Sequence, residues 1–170
     1  MNSHVSSAVA DGPSSQSHRN HVLKVWIAAG LWIGIIVVES TSYLSSDNTS
    51  HYLYPLLHYL FGISLKTFAP FHAYLRKTGH FVGYFILSFL LFRAWRETLP
   101  SVRRWTMRWG AIAFLMSAFV AGMDEWHQSF LPSRGGSFRD VLLDSSAALT
   151  AQIVIALFLW FRFRREPARS

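Results

Sequence analysis

Three short groups of residues carry nearly all the chemistry this chain can offer. Arg76, Lys77, His80 and Tyr84 lie within nine positions; Asp124, Glu125, His127 and Gln128 form a second group; Arg134, Arg139, Asp140 and Asp144 a third. Lys77, His80 and Tyr84 stand at i, i+3 and i+7, and Asp124, His127 and Gln128 at i, i+3 and i+4, so on helices each set shares one face. Glu125, Asp124 and His80 are the candidates for acid–base work. Arg76, Lys77, Arg134 and Arg139 suit a phosphate, and Gly135-Gly136 beside Arg134 leaves backbone N–H groups open to an anion. Two familiar chemistries fit less well. His80, His127, Asp124 and Glu125 follow no established metal-ligand spacing, so no metal or cofactor is expected. Ser133-Arg134, five residues, Asp140, three residues and Asp144 resembles a lipid-phosphatase motif with Asp where its nucleophilic His belongs, so covalent phosphoryl transfer is not expected.

The elements that must position these groups are apolar. The chain has 170 residues, 16 Lys and Arg against 9 Asp and Glu, a net charge of +7, 51% hydrophobic residues and no cysteine. The absent thiols exclude disulfides, thiolate metal sites and a cysteine nucleophile. The apolar residues concentrate in four runs: Val25 to Val38, Thr78 to Trp95, Trp109 to Met123 and Ser145 to Phe161. Trp95, Trp105, Trp109, Trp126 and Trp160 stand at the run ends, where amphipathic rings anchor at a membrane interface. The expected fold is all-α: a polytopic integral membrane bundle of about four transmembrane helices. An all-α soluble domain is the alternative, since runs of this length also make buried core helices.

Around these runs the sequence predicts a polar, unstructured tail over residues 1–21, a membrane domain over 22–162 and a basic tail over 163–170. Span one could be a signal peptide, but its long polar leader and lack of an A-x-A site favour an uncleaved anchor. Residues His51 to Lys77, divided by Pro55, Gly62 and Pro70, read as an interfacial helical segment in short pieces. With four spans, eleven basic residues (Arg19, Lys24, Arg93, Arg96, Arg103, Arg104, Arg108, Arg162, Arg164, Arg165, Arg169) share one side. Five (Lys66, Arg76, Lys77, Arg134, Arg139) face the other. The positive-inside rule then places both termini in the cytoplasm and the ionisable groups together at the outer face. There Asp144 is expected to point into the bundle with Lys77 or Arg76 as its partner. Positive charge flanking apolar runs favours anionic lipid over nucleic acid as the partner.

The stretches KTGHFVGYF (Lys77 to Phe85), DEWHQSFLPSR (Asp124 to Arg134) and DVLLD (Asp140 to Asp144) resemble the VanZ-like family. The resemblance spans roughly Leu31 to Leu159 and carries over Lys77, His80, Tyr84, Asp124, Glu125, Gln128, Arg134 and Asp140. This copy departs from the family pattern at Asp144, where Asn is usual, and at Ala147 and Ala151, where glycines are usual. The family is typified by a bacterial membrane protein associated with teicoplanin resistance. The resemblance thus implies a multi-pass protein of the cytoplasmic membrane acting at the cell envelope, contributing to glycopeptide resistance. Its outer polar cluster, with Arg76, Arg139 and Asp144 added, would bind an anionic lipid or a lipid-linked cell-wall precursor. The alternatives are a hydrolase or transferase acting on a lipid headgroup, and a structural membrane protein.

Overall fold

A computed structural model describes residues 13–41, 46–99, 107–132 and 135–164. Within them the protein is all-α, with helices α1 (Pro13–Ser40), α2 (Ser46–Phe61), α3 (Leu65–Thr98), α4 (Met107–Gln128) and α5 (Phe138–Arg164). Pro13 opens α1, a position where its missing N–H costs nothing. Residues 13–21, which composition places in the polar tail, therefore form the first turns of that helix, while residues 1–12 and 165–170 lie outside the described part.

The segment expected in short pieces breaks only once. Gly62, at φ 66°, stops α2 in the left-handed conformation, and its N–H donates to the His58 carbonyl at 2.8 Å. Pro55 lies inside α2 and Pro70 inside α3. Each proline removes one backbone bond, whereas ending a helix there would orphan several N–H and C=O groups. Consequently α3 runs unbroken for 34 residues, about 50 Å, and Arg76, Lys77 and His80 stand mid-helix rather than at its start.

α3 packs on α5, α4 and α1, antiparallel to α1 and α4 and parallel to α5, with α2 resting against its first half. At one end Trp26 of α1 meets Trp95 of α3 edge-on at 5.4 Å and donates to Thr98 at 2.8 Å. At the other end Ser40 of α1 bonds His127 of α4 at 3.3 Å. Trp109, expected as an interface anchor, is instead buried against Phe92, their ring centroids 6.3 Å apart.

Around a core that includes Phe68, Tyr84, Leu87, Leu91 and Phe92, many further large apolar residues stay on the surface. Leu31, Leu115, Phe119 and Phe158 point outward, Phe119 at 69% exposure, whereas Ser88, Ser117, Asp124, Glu125, Gln128, Asp144 and Gln152 are buried. Between the helices lie small residues: Ala29, Ala94, Ala113, Ala121, Ala147, Ala148 and Ala151 are all essentially inaccessible. Ala147 and Ala151 thus allow α5 a close contact with its neighbours. Two helices are long and apolar enough to cross a membrane, over Gln16–Ser40 and Phe138–Arg162. By the same measure of length and hydropathy the expected third and fourth spans, in α3 and α4, fall short because polar and ionisable residues interrupt or flank their apolar stretches, and α2 has only 16 residues.

Candidate functional site

The three groups of ionisable residues meet at the end of the bundle that holds Ser40 and His127. The second half of α3 descends beside α5 while α4 rises toward its C-terminus, so these helix directions bring residues 76–84, 124–128 and 140–144 to one level.

Two linked sets of contacts organise the cluster. In the first, Asp124 is the acceptor: Tyr84 donates its hydroxyl to Asp124 Oδ2 at 3.3 Å and Gln128 Nε2 donates to the same oxygen at 3.2 Å. Arg76 Nη2 in turn donates to Gln128 Oε1 at 3.4 Å. In the second, His80 Nδ1 lies 3.4 Å from Asp144 Oδ2, and Lys77 Nζ lies 3.9 Å from Asp140 Oδ1. The partner of Asp144 is therefore His80, correcting the expectation of Lys77 or Arg76. Helix rotation explains this: His80, one turn further along α3 than Lys77, reaches the buried Asp144, and Lys77 reaches the shallower Asp140 one turn earlier on α5.

Glu125 does something different. It is 5% exposed, and its Oε2 accepts the backbone N–H of Ser137 at 2.8 Å, fixing the residue that precedes α5. Its backbone carbonyl accepts from Ser129 at 3.0 Å. A side chain at Gly136 would collide with that carbonyl and with Ser129 Cβ, so the loop crosses α4 at a distance only glycine permits. Burial pushes the Glu125 carboxyl above the ordinary carboxylate range, while the Ser137 N–H opposes the rise. The carboxylate proposed as a general base is thus committed to holding the loop.

The remaining candidates divide. His127 turns to Ser40, so the four-residue metal set of His80, His127, Asp124 and Glu125 does not assemble. His80, Asp124 and Asp144 do assemble, each with one ligand atom within 4.8 Å of the others. Arg139 is exposed and stands apart from the cleft described next, while Arg134 and Ser133 lie outside the described residues.

A cleft of about 330 Å³ opens beside this cluster between α2, α3 and α5. Leu65, Phe68, Ala69, Ala73 and Leu143 make its apolar wall, and Arg76, Lys77, His80, Asp140 and Asp144 its polar end. A family model described as VanZ/LLP1 matches residues 25–161, which takes in every residue of the cluster and the cleft. The chain belongs to the VanZ/LLP1 family. No curated protein and no solved structure gives a match.

The residues singled out in the sequence include those at the polar end of the cleft but none of its apolar wall. Leu65, Phe68 and Ala73 carry no local signal, since they become a surface only once α3 extends past Pro70. The residues singled out also leave aside a second buried link, in which Gln152 Nε2 donates to Ser88 Oγ at 2.8 Å and Ser88 Oγ donates to the Ala148 carbonyl at 3.0 Å. Here a signal was available: Ser88 and Gln152 are polar residues inside otherwise apolar runs.

Proposed function

We propose that this VanZ/LLP1 protein is a multi-pass protein of the bacterial cytoplasmic membrane that binds a phosphate-bearing lipid headgroup at the outer face. The candidates are an anionic phospholipid and a lipid-linked cell-wall precursor. The observation that carries the reading is the cleft. Its wall of Leu65, Phe68, Ala69, Ala73 and Leu143 suits hydrocarbon, and Arg76 and Lys77 at the other end suit a phosphate.

The membrane part of the reading rests on the exposed apolar surface. A surface carrying Leu31, Leu115, Phe119, Ile153 and Phe158 is costly in water, whereas hydrocarbon solvates it. In this reading four segments span: α1, residues 78–95 of α3, residues 109–123 of α4, and α5. The first part of α3 together with α2 lies at the interface, because a helix of about 50 Å exceeds a hydrocarbon core of about 30 Å. Both termini face the cytoplasm.

Two measurements test this. Because the chain has no cysteine, Ser133→Cys and Ser101→Cys can each be labelled alone in cells with a membrane-impermeant maleimide. Ser133→Cys should label and Ser101→Cys should not; the reverse overturns the topology. Retention of phosphatidylglycerol and of a polyprenyl phosphate by the detergent-solubilised protein, read by native mass spectrometry, tests the ligand. At about 1 kcal/mol per cation, Arg76→Gln with Lys77→Gln should weaken retention roughly 30-fold while phosphatidylcholine is unaffected. Equal retention by the double variant refutes the site. A role in teicoplanin resistance predicts that expression in a susceptible bacterium raises the inhibitory concentration and that the double variant does not.

A further inference from the structure

We propose that His80, Asp124 and Asp144 form a binding site for one first-row divalent metal ion, of the zinc or manganese class, on the inner wall of the cleft. Three residues far apart in sequence, one each on α3, α4 and α5, bring an imidazole and two carboxylates to within 4.8 Å of one another. One imidazole and two carboxylates are a borderline-hard donor set that suits these ions.

A second observation is independent of that convergence. Asp144 is fully buried, and its Oδ1 has no hydrogen-bond partner among the described residues, while Oδ2 faces His80. A buried carboxylate oxygen left without a donor is costly, and it is available to a metal.

The surroundings fit as well. Both donors to Asp124, from Tyr84 and Gln128, fall on Oδ2, which fixes the carboxylate and leaves its other oxygen outside those bonds. Such outer hydrogen bonds are what orient metal-bound carboxylates. Lys77 reaches Asp140 and Arg76 reaches Gln128, while the group set against Asp144 is His80, which would bind an ion as the neutral imidazole. An ion of charge +2 would compensate two carboxylates held in a poorly solvated place. Ligand bonds of about 2.1 Å put donor atoms roughly 3.4 Å apart around a tetrahedral ion; His80 Nδ1 and Asp144 Oδ2 already stand at 3.4 Å, and all three ligand atoms lie within 4.8 Å, so only a small inward shift is needed on loading. His80 and Asp144 also line the cleft, so the open coordination position faces it. On the headgroup reading above, a phosphate oxygen would take that position.

The test uses the full chain in detergent, freed of any histidine tag and stripped with EDTA. Calorimetric titration with ZnCl2 and with MnCl2 should give saturable binding at about one ion per chain for at least one of them, and the ion should raise the unfolding temperature. Asp144→Asn, which keeps shape and removes charge, should weaken that binding more than tenfold and abolish the thermal response. Tyr84→Phe should weaken it about 10- to 100-fold through the loss of an orienting bond. His80→Gln serves as the second ligand variant should Asp144→Asn fail to fold. Binding that is unchanged in these variants, or no saturable binding by the parent chain, overturns the proposal. Phosphatidylglycerol retention by a parent chain that shows no saturable metal binding overturns the metal site alone. Metal binding without lipid retention overturns the headgroup reading alone.

Discussion

Replacing Glu125 separates its loop-holding role from a catalytic one. The carboxylate is buried and accepts the Ser137 N–H at 2.8 Å. Glu125→Ala removes that acceptor and leaves a partly buried N–H without a partner, a loss of roughly 1.5–3 kcal/mol for a hydrogen bond to a charged group. For a chain of this length that corresponds to a fall in unfolding temperature of about 3–12 °C. Glu125→Gln keeps an acceptor oxygen at the same place and removes the buried charge, so it should stay close to the parent. The pH dependence gives a further handle. Burial raises the folded-state value of Glu125 above 4.5, so between that value and the raised one the folded protein holds more protons than the unfolded chain. Its contribution is therefore fully present below pH 4.5 and is lost as pH rises through the window. The parent minus Glu125→Gln difference in unfolding temperature should fall with rising pH, read by tryptophan fluorescence in detergent. A Glu125→Gln protein as unstable as Glu125→Ala, or a difference that does not vary with pH, would refute the assignment of this side chain to the loop.

Further outcomes follow from the same packing. Gly136→Ala should lower stability by about 1–3 kcal/mol, because the new methyl meets the Glu125 carbonyl and Ser129; thermal unfolding checks this, and an unchanged midpoint would mean that the loop is free to shift. Ala151→Leu forces a larger side chain into the fully buried contact of α5 and should cost a similar amount by the same assay. Ser88→Ala removes the nearer of the two acceptors of Gln152 Nε2 and should cost about 1 kcal/mol, with Ser88→Thr milder if the hydroxyl is what matters. Glu97, held below 4.5 by the Arg96 guanidinium, acts in the opposite sense to Glu125: its stabilisation is present above that value and lost as pH falls below it, so Glu97→Gln should reduce acid sensitivity.

The sequence by itself determined much about this protein. Four apolar runs of helical length point to an all-α arrangement, the ionisable groups stand at or near run ends, and the lack of thiols excludes disulfides and thiolate sites. Helical periodicity also put Lys77, His80 and Tyr84 on one face and Asp124 with Gln128 on another, because i to i+4 geometry is local and needs no partner. The tertiary structure decided everything that depends on the rotation and depth of one helix against the next. It matched His80 to Asp144 and Lys77 to Asp140, turned His127 away to Ser40, and gave Glu125 to the Ser137 amide. It carried α3 through Pro70, where the single missing bond costs less than a broken helix, and so built the apolar wall of the cleft. It also decided which large apolar residues pack inside, such as Phe68, Leu87, Leu91 and Phe92, and which stay on the surface, such as Leu115, Phe119 and Phe158, a division set by which faces pack and invisible in runs that are apolar on every side.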